Sequence, residues 1–374
     1  MKTLRRIAWA LALLLVPAVL YLLLWPVPIR PVAWQPAPEP GYTGPHAPNT
    51  RLAQLQKIDL RGEVGPEHVV IGPDGRLYTT VLSGNILRMD PDGGNLQVFA
   101  HTGGRVLGFD FDAAGHLIAA DAMLGLLSIA PDGKVTRLTN RVGDTPILYA
   151  NSVVVAKSGT IYFSDASGRF APRDWGGTFE ASVLDILEQA STGRVLAYDP
   201  TSRSTRVVAR GLSFANGVAL SADERTLFVS ETGRYRIWKV AVDARDLDLA
   251  PLPQGKAGEA QAVVLFDNLP GYPDNLMRGQ DGRIWVGLVK PRNPKVDQLA
   301  QKPWLRSLTL RLPRALWPIP RAYGHVFAFN EAGQVVADLQ DPSGAYPETT
   351  SVTETRDRLY VQSLHARQLG WLPR

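Results

Sequence analysis

The chain has 374 residues, 45% of them hydrophobic, enough to bury a large core. Cysteine is absent, which excludes disulfides, thiolate catalysis and zinc–thiolate sites. The formal charge is +5, and its Lys and Arg are spread rather than massed, so nothing in the pattern supports nucleic-acid binding.

The chain opens with Lys2, Arg5 and Arg6 ahead of an apolar run over 7–25. That run is about the length a helix needs to cross a bilayer, and the cationic flank predicts a cytoplasmic N-terminus. A secretory signal peptide is the rival reading, but Trp25-Pro26-Val27-Pro28 makes a poor cleavage site. The sequence therefore predicts a transmembrane signal anchor over 1–25, with the remainder periplasmic or extracytoplasmic. Residues 26–50 hold many prolines and read as a linker, a semi-rigid spacer.

From residue 51 a module returns six times: a turn built on Asp or Gly, then an apolar strand. Gly72-Pro73-Asp74-Gly75-Arg76-Leu77-Tyr78 is one copy, and Gly279-Gln280-Asp281-Gly282-Arg283-Ile284-Trp285 is another. The closest copies lie about 40 residues apart, which matches four-stranded blades. A solenoid would keep a more even spacing. The fold expected is all-β, a six-bladed β-propeller over 51–374, with the strand near 52–60 closing the ring in the last blade. Small helical insertions are expected at 166–193, with a helix near 179–190, and at 290–322, with helical patches near 296–305 and 308–316. The second of these reads either as a cap on the propeller face or as a segment lying on an anionic membrane. Residues 243–262 read as an ordinary loop.

In four copies the residue leading into the repeat carries a side-chain oxygen: Glu67, Asn151, Asn216 and Asp274. Radial blades would bring those four onto one axis. Two carboxylates and two amides form a hard-oxygen set that suits Ca²⁺, whereas zinc or copper would want His or Cys. Each residue alone also has a plain structural reading; Asn216-Gly217, for instance, reads as a tight turn. His68 and His325 sit in expected strands with no partner at metal-ligand spacing and read as structural. No G-x-S-x-G elbow, H-E-x-x-H, P-loop or G-x-G-x-x-G occurs.

Five ordered stretches carry a family resemblance: Gly65-Pro66-Glu67, Gly104-Arg105-Val106-Leu107-Gly108, Ala150-Asn151-Ser152, Phe214-Ala215-Asn216-Gly217-Val218 and Leu269-Pro270-Gly271-Tyr272-Pro273-Asp274-Asn275. With them, nearly everything after residue 50 resembles the strictosidine synthase-like family. The resemblance is greatest to a membrane-associated branch that shares an N-terminal anchor and the Lys302-Pro303-Trp304 insertion. Its wider superfamily, with gluconolactonases and paraoxonases, implies a six-bladed propeller holding Ca²⁺ in the central channel. The family's ligands, a Glu, two Asn and an Asp, fall here on Glu67, Asn151, Asn216 and Asp274. Plant strictosidine synthases use a Glu in the last blade where this chain has Thr350, which argues against that condensation. Leu107 stands where paraoxonases carry the first of a His pair.

The reading that results is a membrane-anchored, Ca²⁺-dependent hydrolase of small-molecule esters or lactones. Asp274 would be the nucleophile or the base that activates water. The alternative is a propeller that keeps its metal for rigidity and serves as a binding or scaffold protein. A strictosidine-type condensing enzyme ranks below both.

Overall fold

The computed structural model describes residues 2–250 and 261–374. Six antiparallel sheets follow one another around a ring, each with its first strand innermost. Blade 1 begins at Val69–Ile71, blade 2 at Val106–Phe111, blade 3 at Ala150–Val155, blade 4 at Ala215–Leu220, blade 5 at Gly271–Arg278 and blade 6 at Thr349–Glu354. Neighbouring first strands lie against one another, as those of blades 3 and 4 and of blades 4 and 5 do. This is the expected six-bladed propeller.

The turns between first and second strands follow the repeated motif. Gly75, in the Asp74-Gly75 turn, has φ of 74°, a conformation that glycine adopts without a Cβ penalty. The core is divided into layers between blades. One of these layers joins blades 6 and 1 through Ile58, Leu60, Val69, Leu87, Tyr360 and Leu369.

The ring closes as expected. Gln56–Asp59 is the outermost strand of blade 6 and pairs with Gln368–Pro373, Gln56 opposite Trp371 and Asp59 opposite Gln368. The first and last strands of the propeller thus share one sheet, so Gln368–Pro373 is not left as the edge of that blade.

Asn216-Gly217, expected as a turn, lies inside the first strand of blade 4. Gly217 is required there because blade 5 passes so close: a β-carbon would overlap the backbone of Asp274 and Leu276. The insertion at 243–262 adds a short fifth strand, Leu247–Asp248, parallel to Ser204–Leu212 in blade 3. Residues 251–260 of it lie outside those described.

The N-terminal helix α1 (Lys2–Leu24) corrects the expected membrane anchor. Among the described residues, no helix is long and apolar enough to cross a membrane, so the expected single-pass location falls with it. Helix α1 opens with three cationic residues and holds Pro17. Its far end is tied to protein: Arg311 donates to the carbonyls of Trp25 (2.7 Å) and Leu22 (3.1 Å).

Residues 26–50 lie along the propeller as a strap. Arg30 N donates to Glu188 Oε2 at 2.7 Å, Val32 N to Glu188 O at 2.8 Å, and Arg292 to Ala37 O at 2.9 Å. Helix α2 (Thr178–Glu188) is the helix expected in the first insertion. Helices α3 (Pro294–Leu299) and α4 (Pro303–Arg311) form the second insertion. Arg306 of α4 is buried and donates to the carbonyls of Leu187 and Ala300 and, in a short contact, of Val32. A guanidinium spent on three backbone segments ties α4 to the rest of the protein, as a cap requires.

Closure through one short strand yields a test. Ile58 is 5% exposed within the blade 6–blade 1 layer. Ile58→Ala should cost about 2–5 kcal/mol in urea unfolding, while Lys57→Ala, on the exposed face, should change stability by less than about 0.5 kcal/mol. Equal effects would mean that the strand does not hold the ring.

Candidate active site

Three of the four oxygen-bearing residues sit at irregularities in the first strands of their blades. Strand register breaks between Ala150 and Val153, between Ala215 and Val218, and between Pro273 and Leu276. Such bulges re-aim side chains, and here they bracket Asn151, Asn216 and Asp274. Glu67 lies two residues ahead of Val69–Ile71, the first strand of blade 1. Blades 2 and 6 bulge at the equivalent places, around Leu107 and Thr350.

Glu67, Asn151, Asn216 and Asp274 all line one cavity of about 190 Å³, and none is more than 5% exposed. Leu107 lines it too. Thr350 instead donates through Oγ1 to the carbonyl of Glu67 at 2.8 Å, and Asn275 Nδ2 donates to the same oxygen at 3.2 Å. Thr350 thereby positions the backbone of Glu67. Ser152 links blades, accepting at Oγ from Val218 N at 3.2 Å.

The charges are out of balance. Burial pushes the Glu67 carboxyl up, against the pull of Arg105. Burial also pushes Asp274 well above the usual carboxylate range, and Glu67 adds to the rise by repulsion, while a hydrogen bond from Asn216 opposes it. Asn151 Oδ1 and Asn216 Oδ1 are buried without a hydrogen-bond partner. Two destabilised carboxylates and two unpartnered amide oxygens on one cavity are the donor set a hard divalent cation needs. On that chemistry the residues fit Ca²⁺.

Sequence reasoning missed several groups on the same cavity. Arg105, 4% exposed, pairs with Glu67 Oε2 through Nη2 at 2.5 Å, leaving Nε and Nη1 buried and unpartnered. Its signal was the Gly104–Gly108 stretch, quoted for the resemblance and given no role. Lys290, Glu348 and His365 form a chain on the wall: Lys290 Nζ lies 2.6 Å from Glu348 Oε1, and His365 Nδ1 touches Glu348 Oε2. Lys290 follows the blade 5 repeat, while Glu348 and His365 flank the first two strands of blade 6; no spacing joins them. His68, also buried, stacks edge-on with Phe109 at 5.1 Å and is held neutral by burial, its pKa lowered to about 4.

The apolar part of the wall comes largely from the cap. Phe179, Val183, Ile186 and Leu187 of α2, Val296 of α3, and Trp317 and Ile319 beyond α4 face the cavity. Two phenols hold this cap in place. Tyr149 donates to Thr178 O at 2.8 Å at the start of α2, and the Tyr235 hydroxyl lies 3.0 Å from Asp297 of α3 and 3.1 Å from the Tyr272 hydroxyl.

The Glu348–His365 pair has a defined pH window. Its hydrogen bonds to His365 and Lys290 outweigh burial and hold Glu348 down at about 2; its contribution is present above 4.5 and lost as pH falls through about 2. The hydrogen bond that His365 donates to Glu348 raises His365 above 6.5; that contribution is full below 6.5 and lost as pH climbs through the raised value. His365→Ala should therefore lower the melting temperature most near pH 6, and less above pH 9. An equal deficit at both pH values would refute the pairing.

The comparisons with known proteins bear on the family and the fold. A family model described as "Strictosidine synthase-like, N-terminal" matches residues 44–89, and one described as "Strictosidine synthase" matches 151–244. The chain is 31% identical to an adipocyte plasma membrane-associated protein of Salmo salar, over 95% of this chain and 86% of that one. It is also 31% identical to the strictosidine synthase-like 10 protein of Arabidopsis thaliana, over 84% and 86%. Among solved structures, a gluconolactonase from Xanthomonas campestris superposes with a TM-score of 0.58 at 19% identity, covering 93% of this chain and 98% of that one. Regucalcin from Agrobacterium tumefaciens, described as a calcium-binding protein, gives 0.56 at 16% identity, covering 85% and 93%. At those identities the structural likeness speaks for the propeller alone, whereas the sequence likeness reaches nearly the whole chain: it belongs to the strictosidine synthase-like family.

Proposed function

We propose that this protein is a calcium-dependent hydrolase of esters or lactones that are apolar beside the reacting carbonyl. The observation that carries the reading is an open cavity directly over the four oxygen-bearing side chains. A propeller keeping a metal for rigidity alone would fill that space. The fold neighbours described as a gluconolactonase and a calcium-binding regucalcin are in keeping with it.

Glu67, Asn151, Asn216 and Asp274 would hold the ion. Bound Ca²⁺ supplies Lewis-acid polarisation of an acyl oxygen. Asp274, destabilised as a free carboxylate by burial and by Glu67, would either attack the carbonyl carbon or take a proton from water. Attack gives a mixed anhydride that water hydrolyses once the ester C–O bond has broken and the alcohol has left. In the other course the deprotonated water attacks the carbonyl as the same C–O bond breaks. The two unpartnered nitrogens of Arg105 are donors for an oxygen of the substrate. Phe179, Ile186, Phe214 and Trp317 shed water from the site and take the apolar part of the ester.

A panel of aryl esters and lactones, with and without chelator, tests the reading. Chelation should remove turnover and lower the melting temperature, because the ion binds only the folded ring. Asp274→Asn keeps the shape and should cost about 10²–10⁴-fold in rate with the fold intact. Parental rates in Asp274→Asn, or indifference to chelator, would return the protein to the scaffold reading.

A further inference from the structure

A second cluster of ligand-type side chains lies away from the axial cavity. His46 ends a short helical turn, Gly44–His46, in the strap. His325 stands in Gly324–Phe329 and Asp338 in Val335–Asp341, the two outer strands of blade 5. In their register His325 is opposite Gln340 and Asp338 opposite Phe327, so His325 and Asp338 are diagonal neighbours on one face. The sequence reading gave His325 no partner, because its partner on the strap lies 279 positions earlier in the chain.

The three ligand atoms lie within 4.8 Å of one another, and the side chains are 12%, 1% and 8% exposed for His46, His325 and Asp338. Two imidazole nitrogens converge on a single oxygen: His46 Nδ1 and His325 Nε2 are each 2.8 Å from Asp338 Oδ2. The other carboxylate oxygen is held separately, accepting from Asn49 Nδ2 at 3.1 Å and Gln340 Nε2 at 2.5 Å. Metal-binding carboxylates are oriented in this way, one oxygen fixed by hydrogen bonds and one presented. Tyr42, its ring 5.6 Å from that of His325, adds a buried hydroxyl without a hydrogen-bond partner.

We propose that His46, His325 and Asp338 form a zinc-class site that staples the N-terminal strap to blade 5. Two nitrogens and one carboxylate oxygen suit a borderline ion such as Zn²⁺ and leave a fourth position for water or the Tyr42 hydroxyl. The ion takes the place of the hydrogen at each nitrogen that faces Asp338 Oδ2, and each neutral imidazole carries its proton on the other ring nitrogen instead. The site shares no residue with the axial cavity, and its donors differ in kind. It therefore holds whether or not the hydrolase reading does.

The test uses the untagged full chain, stripped with chelator and dialysed against micromolar Zn²⁺ alone. One retained ion per chain and a higher melting temperature are expected. His46→Ala should weaken retention by roughly a hundredfold and remove the zinc-dependent rise in melting temperature, while Glu67→Gln should leave both unchanged. Trypsin should cut within the strap faster in the stripped protein than in the zinc form. Unchanged retention in His46→Ala, or none in the parent, would overturn the site. Should His46→Ala fail to fold, Co²⁺ in the parent decides: intense four-coordinate bands support the site, and the weak spectrum of the aqueous ion overturns it.

Discussion

The closest approach of the blades at the axis governs the rest of the structure. Where Gly217 passes the backbone of Asp274 and Leu276, no room remains for a β-carbon, and comparable contacts bring Gly108 against Asn151 and Gly287 against Thr349. Strands packed so tightly cannot keep regular pairing with their own second strands, and register breaks in blades 2 to 6 at this level. Each break turns one side chain toward the centre. The site is thus a consequence of how a six-membered ring closes, and the residue standing at each break decides what the centre can bind.

That placement has an electrostatic cost which the protein leaves partly uncompensated. Glu67 and Asp274 repel each other, and desolvation by burial raises the cost of ionising both. Arg105 meets one oxygen of Glu67 and no other acceptor. A divalent ion would relieve both carboxyls and both amide oxygens together, which a single guanidinium cannot do. Two destabilised carboxyls and two unpartnered amide oxygens on one cavity are the pattern that a binding centre would show.

The ring and the centre were legible in the sequence because both repeat. A turn and an apolar strand returning six times imply blades, and one position in the repeat carrying oxygen implies a shared axis. Closure by 56–59 could be read because the last blade lacked an outer strand. What did not repeat was not legible. Lys290, Glu348 and His365 meet only through the fold, and so do His46 and His325. Gly217 was read as a turn because local chemistry favours one, whereas the neighbouring blade decides its conformation. The apolar run at the N-terminus was read as an anchor from hydropathy and length, but the structure places its end against Arg311 and contains no helix among the described residues that meets the requirements of a span.

The repeated and unrepeated parts divide the work. Five bulged positions and Glu67 make the centre, and the residue at each alters its chemistry: Leu107 brings an apolar group to the cavity, while Thr350 is turned to the carbonyl of Glu67. The walls come from insertions and the strap. Arg306 joins α4 to α2 and to Val32, and Arg292 joins α3 to Ala37. The cap is therefore tied to the N-terminal segment as firmly as to the ring. Strap position and cavity shape become one variable, because a displacement at Val32 is carried through Arg306 to Leu187 on the wall. The shape of the cavity in such a protein is set largely outside its repeats, where chains sharing one propeller are free to differ.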